Sequence, residues 1–279
     1  FSLPLNRNPN LYNQFNFNGK NNTNIGAYLN YTWHNFTLFG EAAQTINHGR
    51  AFTVGALSSL TNQLDISLLY RNFSREFYSF YSNALSENTI PQNETGFYWG
   101  WKYTLTKKYS FAGYVDLFMF PWLKYRSYSP SVGNEWMFKF NYQPSKTVAF
   151  FLQAREESKP RNSSKEVALF NPAAGTKRNY WINCDYAANQ RLSFKTRAQF
   201  SSYTFEGNTS KGFALIQDVN FDVGKFSFST RYALFDTDDY DNRLYVYEKD
   251  VWLAFSLPAY FGQGIRNYVM MQYKVSSNI

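Results

Sequence analysis

Along most of this chain apolar and polar side chains alternate residue by residue. In "FSFSTRYALF" (residues 226–235), Phe226, Phe228, Thr230, Tyr232 and Leu234 share one parity, and Ser227, Ser229, Arg231, Ala233 and Phe235 share the other. A period of two marks a strand, whose successive side chains point to opposite faces. An apolar-faced strand has two homes. In a water-soluble sheet the apolar face covers a core; in a membrane barrel it faces lipid and the polar face looks into a lumen.

The same alternation gives candidate strands at 11–18, 24–34, 36–45, 52–60, 64–73, 96–105, 109–120, 134–142, 148–156, 179–188, 192–203, 213–223, 226–235, 245–257 and 267–275. The segment 245–257 also reads as a long excursion between strands. Connections are alternately short ("HN" 34–35, "TNQ" 61–63, "TKK" 106–108, "QPSK" 143–146, "ANQ" 188–190, "GK" 224–225) and longer (74–95, 121–133, 156–178, 206–212, 236–242). In an up-and-down barrel this puts every short turn at one rim and every long loop at the other, as in outer-membrane barrels with short periplasmic turns and long extracellular loops. A lipocalin-like barrel has about eight strands and an apolar interior. A propeller would repeat a motif every ~40–50 residues, and no such period is present.

Composition supports the membrane choice. Aromatic residues make up 21% of the chain (28 Phe, 23 Tyr, 7 Trp) and charged residues 17%, below the roughly 25% of a globular domain. No run reaches the ~20 apolar residues of a spanning helix, whereas a spanning strand needs only about 9–11 residues. The expected architecture is therefore all-β: a transmembrane up-and-down antiparallel β-barrel of about 14–16 strands. It forms one domain over residues 1–279 and is placed in the bacterial outer membrane. Trp33, Trp99, Trp101, Trp122, Trp136, Trp181 and Tyr142 are expected in aromatic girdles, where amphipathic rings favour the headgroup zone.

The polar parity then assigns the lumen. It carries Asp65, Arg71, Glu135, Lys139, Arg155, Asp185, Lys195, Arg197, Asp218 and Arg231, with Lys102, Asp116 and Asp222 beside them. Turned outward, Lys or Arg at the bilayer midplane would cost roughly 2–4 kcal/mol each. Opposite signs on neighbouring strands predict that these charges pair, Glu135 and Lys139 near Arg155, and Asp185 near Lys195 and Arg197.

Three stretches resemble an outer-membrane β-barrel family of Bacteroidota: "LDISLLYRNFSREFYSFYSNALSENTIPQNETGFYWG" (64–100), "FPWLKYRSYSPSVGNEW" (120–136) and "RYALFDTDDYDNRLYVYEKDVWLAFSLPAYFGQGIRNY" (231–268). Members often carry a helix-hairpin-helix segment ahead of the barrel and are known through it as competence-type proteins. These 279 residues contain no such segment. The resemblance implies the barrel and the outer membrane, not DNA uptake, and brings no catalytic residues.

Other chemistry is sparse. "DTDDYDN" places Asp236, Asp238 and Asp241 at spacings that can wrap a structural calcium ion, although the glycine and terminal Glu of a full calcium loop are missing. No other cofactor is expected. The two histidines, His34 and His48, fall at opposite rims and have no positioned partner, so no enzyme is expected. Cys184 stands alone, which rules out an internal disulfide frame. The net charge of +8 is spread out with no dense Lys/Arg run, so nothing marks nucleic acid as a partner. Phe77, Tyr78, Phe80 and Tyr81 make the 74–95 loop unusually aromatic, either as a plug or as an interface with another protein.

The expected partners are the lipid bilayer and other outer-membrane or surface proteins, and the expected role is a structural or partner-binding subunit. A porin-like channel for small polar solutes is the alternative. The terminal "YKVSSNI" reads more like a turn than a closing strand. Since bacterial barrels normally have even strand numbers, the sequence is expected to be part of a longer polypeptide that continues with at least one more strand.

Overall fold

The computed structural model describes residues 8, 10–46, 48–163, 172–251 and 253–275. Among these, thirteen strands form one sheet in which each strand lies beside the next in sequence. They are β1 (Asn24–Trp33), β2 (Phe36–Thr45), β3 (Arg50–Ser59), β4 (Leu64–Phe73), β5 (Glu94–Thr104), β6 (Tyr109–Phe120), β7 (Ser131–Tyr142), β8 (Val148–Asn162), β9 (Pro172–Ala187), β10 (Leu192–Phe205), β11 (Asn208–Val223), β12 (Phe226–Thr237) and β15 (Gln263–Tyr273). A separate two-stranded ribbon, β13 (Leu244–Tyr245) with β14 (Ala259–Tyr260), interrupts the β12–β15 connection.

The antiparallel meander follows the predicted pattern with several corrections. Residues 11–18 form no strand: Leu11–Asn13 is a single 3-10 turn, because the segment spends its aromatic rings on neighbouring loops. Residues 245–257 are an excursion rather than a sheet strand. Among the described residues the main sheet therefore has thirteen members, against the fourteen to sixteen expected. Finally, the loop expected at 206–212 collapses to the two-residue turn Glu206–Gly207. Both residues have positive φ, 51° and 83°, as a type I′ hairpin turn requires. The polar run after it joins β11, and the loop expected at 156–178 is likewise shortened, with residues 156–162 in β8 and 172–178 in β9, so β8 to β11 reach 15, 16, 14 and 16 residues. That exceeds the roughly 9–11 needed to cross a bilayer. Residues 276–279, part of the terminal segment expected as a turn, lie outside the described residues.

The described residues form two compact units, one from within 1–103, 112–136 and 157–175, the other from within 104–111, 137–156 and 176–279. Each shows the same inverted facing. In the first, Arg71, Glu94, Asp116 and Glu135 are buried while Ile25, Tyr28, Val54 and Leu68 are exposed. In the second, Asn183, Gln199, Ser229 and Arg231 are buried while Ile182, Leu215, Ile265 and Val269 are exposed. Arg231 keeps 6% of its surface and Val269 76%. Water would drive the opposite arrangement.

The second unit also carries a run of ring pairs near the short turns. Tyr109 stacks on Tyr142 at 4.8 Å, Tyr142 on Phe150 at 6.2 Å, Tyr186 on Phe194 at 6.2 Å, and Phe221 on Phe228 at 4.8 Å, while Phe226 meets Tyr273 at 4.8 Å. Trp122, expected in a girdle, instead sits in the β6–β7 loop against Phe15, and its indole N–H donates to the Leu11 carbonyl.

Candidate functional site: the buried polar face

In the first unit the polar face centres on Arg71, which is fully buried. Its position on β4 puts it directly across from Gly96 of β5. A Cβ on residue 96 would lie 2.4 Å from Arg71 Cζ, so the missing side chain is the space the guanidinium fills. Arg71 Nε donates to Glu94 Oε1 at 2.6 Å, while Nη1 and Nη2 donate to the two Asp116 oxygens at 2.9 and 3.1 Å. One planar fork thus serves two carboxylates, a task lysine's point charge cannot reproduce. Glu135 accepts a hydrogen bond from Tyr114 Oη on the same face. Glu94 was outside the predicted lumen set because the candidate strand began at Gly96, two residues later on the same parity.

The β4–β5 loop folds down onto this network. The Glu87 and Asn88 amides donate to the Glu94 carboxylate at 3.0 Å, and Lys159 on β8 holds Glu87 at 2.8 Å and Glu157 at 2.9 Å. Burial pushes the Glu87 carboxyl above the usual carboxylate range, with Lys159 opposing it. Lys124, in the β6–β7 loop, lies 3.5 Å over the Phe120 ring; burial first, then Lys159, lowers its amine to about 8.

The four aromatic residues expected to act together in this loop divide. Phe77 and Tyr78 are buried, Phe77 against Ala51 and Phe73. The Tyr78 carbonyl gathers hydrogen bonds from Asn22, Asn24 and Thr45 at 2.8, 3.0 and 3.1 Å. Phe80 is half exposed and Tyr81 is 97% exposed. The N-terminal segment straps the loop from above: Phe17 stacks on Tyr78, Phe15 meets Trp122 edge-on, and Arg75 lies over both Phe15 and Trp122.

In the second unit Arg231 and Asp218 face each other across β12 and β11. They form a bidentate pair at 2.5 and 2.7 Å. Arg197 turns to Asn183 Oδ1 at 2.7 Å rather than to the expected Asp185, because Asn183 is the deeper polar group on β9. Asp185 pairs with Lys195 at 3.7 Å, and both remain about half exposed. The excursion between β12 and β15 covers this face. Leu244, Val246 and Tyr260 pack with Ala214, Ile216 and Ala233, and Glu248 takes two hydrogen bonds from Arg266 at 2.6 and 2.9 Å and one from Tyr260 at 2.8 Å. Sequence reasoning missed Glu248 and Lys249 because it could not assign 245–257 to a face, and Arg266 because the last candidate strand began one residue later, at Asn267.

The other expected lumen residues are less enclosed. Asp65 accepts from Ser59 Oγ at 2.7 Å near the turn, Lys139 lies 4.3 Å from the Phe151 ring centre, and Arg155 is half-buried on β8. The acidic loop does not assemble. Asp236 is the last residue but one of β12, Asp238 accepts from the Lys211 amide at 2.7 Å, and Asp241 offers its carbonyl to Lys177 at 3.4 Å. Among the described residues no three His, Cys, Asp or Glu side chains are placed to hold a metal. His34 and His48 lie beyond opposite ends of β2. His48 lines a 460 Å³ cleft with Glu76, Asn16 and Tyr78.

No protein-family model matches this sequence, and no curated protein is similar to it at a significant level. Among solved structures the chain is similar to one described as "NanC porin structure in rhombohedral crystal form", at 8% identity. That similarity covers 91% of this chain and 99% of the other with a TM-score of 0.35, too loose a likeness to bear on register or function.

Proposed function

We propose that this chain is a non-enzymatic β-barrel of the bacterial outer membrane that serves as a structural or partner-binding subunit of a larger outer-membrane assembly. The inverted facing supports the membrane setting, since an apolar outer face needs lipid and a buried charged face needs a lumen. One observation carries the choice of role. The most deeply buried charges of the polar face are consumed by one another and by loops folded onto them: Arg71 with Glu94 and Asp116 under residues 87–88, and Arg231 with Asp218 under residues 244–249. Paired charges beneath packed loops seal a lumen as readily as line it. The exposed Tyr81 offers a contact on the loop side.

A porin-like channel for small polar solutes is the second reading, favoured by the half-exposed Asp185–Lys195 pair. Planar-bilayer recordings separate the two. A silent protein that co-purifies with other envelope proteins supports the subunit; reproducible ohmic steps from the purified chain refute it in favour of the channel.

A further inference from the structure

The rungs of β11, β12 and β15 form a ruler against which the excursion between β12 and β15 can be measured. Gly212 and Thr237 stand opposite each other at the end where the excursion leaves, and Gly224–Lys225 turns the chain at the other end. Asn242 lies over the first rung, its Nδ2 3.2 Å from where a Cβ on Gly212 would be. Leu244 and Val246 come next, on Ala214, Ile216 and Ala233. The Tyr247 carbonyl then accepts Arg231 Nη1 at 2.6 Å, and the Lys249 ammonium reaches Asn220 Oδ1 at 2.6 Å and Ser229 Oγ at 2.8 Å. Asn220 and Ser229 face each other two residues past the Asp218–Arg231 rung.

The returning arm runs beside the outgoing one. Leu244 pairs with Tyr260 and Tyr245 with Ala259, the Val246 amide donates to the Pro258 carbonyl at 3.2 Å, and the Glu248 amide donates to that of Ser256 at 3.0 Å. A turn closed by the Ala254 amide on the Val251 carbonyl ends the hairpin. At about 3.3 Å per residue, the few residues beyond Lys249 extend this tip past the Asn220–Ser229 rung towards the Gly224 turn. There Val251, Leu253 and Phe255 are 67%, 86% and 75% exposed.

We propose that hairpin 244–260 is an arm threaded along the polar face from the long-loop rim to the short-turn rim, presenting its tip on the membrane side opposite to the one where the segment begins and ends. This rests on the membrane-barrel reading above. The arm is clamped by charge-assisted hydrogen bonds at Glu248–Arg266, Arg231–Tyr247 and Lys249–Asn220, which are roughly twice as strong as neutral ones. It plugs the face it crosses.

Cysteine accessibility tests the threading. In a Cys184→Ser background, single cysteines are placed by Asn208→Cys at the β10–β11 turn, Lys225→Cys at the β11–β12 turn, and Leu253→Cys or Phe255→Cys at the tip. Intact cells carrying the protein in their outer membrane are treated with a polyethylene-glycol maleimide too bulky to enter a lumen, and again after the membrane is disrupted. The tip cysteines are expected to behave as Lys225→Cys does, unlabelled until disruption, while Asn208→Cys reacts at once. If the barrel sits the other way round, the two turn controls exchange and the tip must still follow Lys225→Cys. Tip cysteines that follow Asn208→Cys while the controls differ overturn the threading alone. Controls that react alike overturn the membrane reading and the inference with it.

Discussion

Replacing Arg71 by Leu removes the one cation shared by two buried carboxylates. Its side chain is fully buried, as is that of Glu94, and Asp116 keeps 7% of its side-chain surface. The consequences differ for the two acids. Glu94 retains the amides of Glu87 and Asn88 at 3.0 Å, whereas Asp116 loses both bonds from the guanidinium. Breaking a buried ion pair by deleting one partner costs about 3–5 kcal/mol, because the other charge stays buried and uncompensated. We therefore expect Arg71→Leu to lower the unfolding free energy by about 3–5 kcal/mol. Adding Asp116→Leu should recover a large part of that loss, since an apolar pair needs no compensation. Arg71→Lys should fall in between, because a single ammonium cannot serve both carboxylates through a planar fork. Urea titration of the lipid-reconstituted protein, followed by the fluorescence of Trp99 and Trp101 on the neighbouring β5, measures all three. If Arg71→Leu costs under about 0.5 kcal/mol, as a surface change does, or if Asp116→Leu recovers nothing, the shared-fork account is wrong.

Glu94→Ala should free the β4–β5 loop by removing the acceptor of the Glu87 and Asn88 amides; limited proteolysis should then cut within residues 80–90, and an uncut loop would refute the tether. Asn242 is wholly buried with neither amide atom hydrogen-bonded among the described residues, so Asn242→Leu should leave stability unchanged or raise it by about 1–3 kcal/mol, the usual cost of an unsatisfied buried polar group, and a clear loss of stability would count against this. The Lys124 amine, lowered to about 8, should acylate half-maximally near that pH, where ordinary lysine amines stay protonated until about 10.4. The matching stability effect has a definite sign: charged Lys124 opposes folding in full below pH 8, and the penalty fades as pH rises towards the ordinary value of 10.5. Peptide mapping after acylation across pH 7–11 checks it, and a midpoint shared with the other lysines would contradict it.

Alternation by itself determined that the chain is a meander of antiparallel strands with an apolar and a polar face, and which side chains belong to each. The parity of Phe226 and Arg231 needs no tertiary information, because a strand's geometry sends neighbours to opposite faces. It placed Arg71, Asp116 and Arg231 on the buried face. It could not tell which charges would meet. Arg197 chose Asn183 over Asp185, and Arg71 reached two strands away to Asp116, because long side chains pair by depth and free space rather than by rung alone. Space is a property of neighbours: the room for Arg71 is a glycine on another strand. Periodicity is also silent wherever chain leaves the ladder. Residues 11–18 and 245–257 alternate much as true strands do, yet one straps a loop and the other lies along the polar face. Their backbone groups find partners outside the main sheet, and only the assembled strands determine where those partners stand.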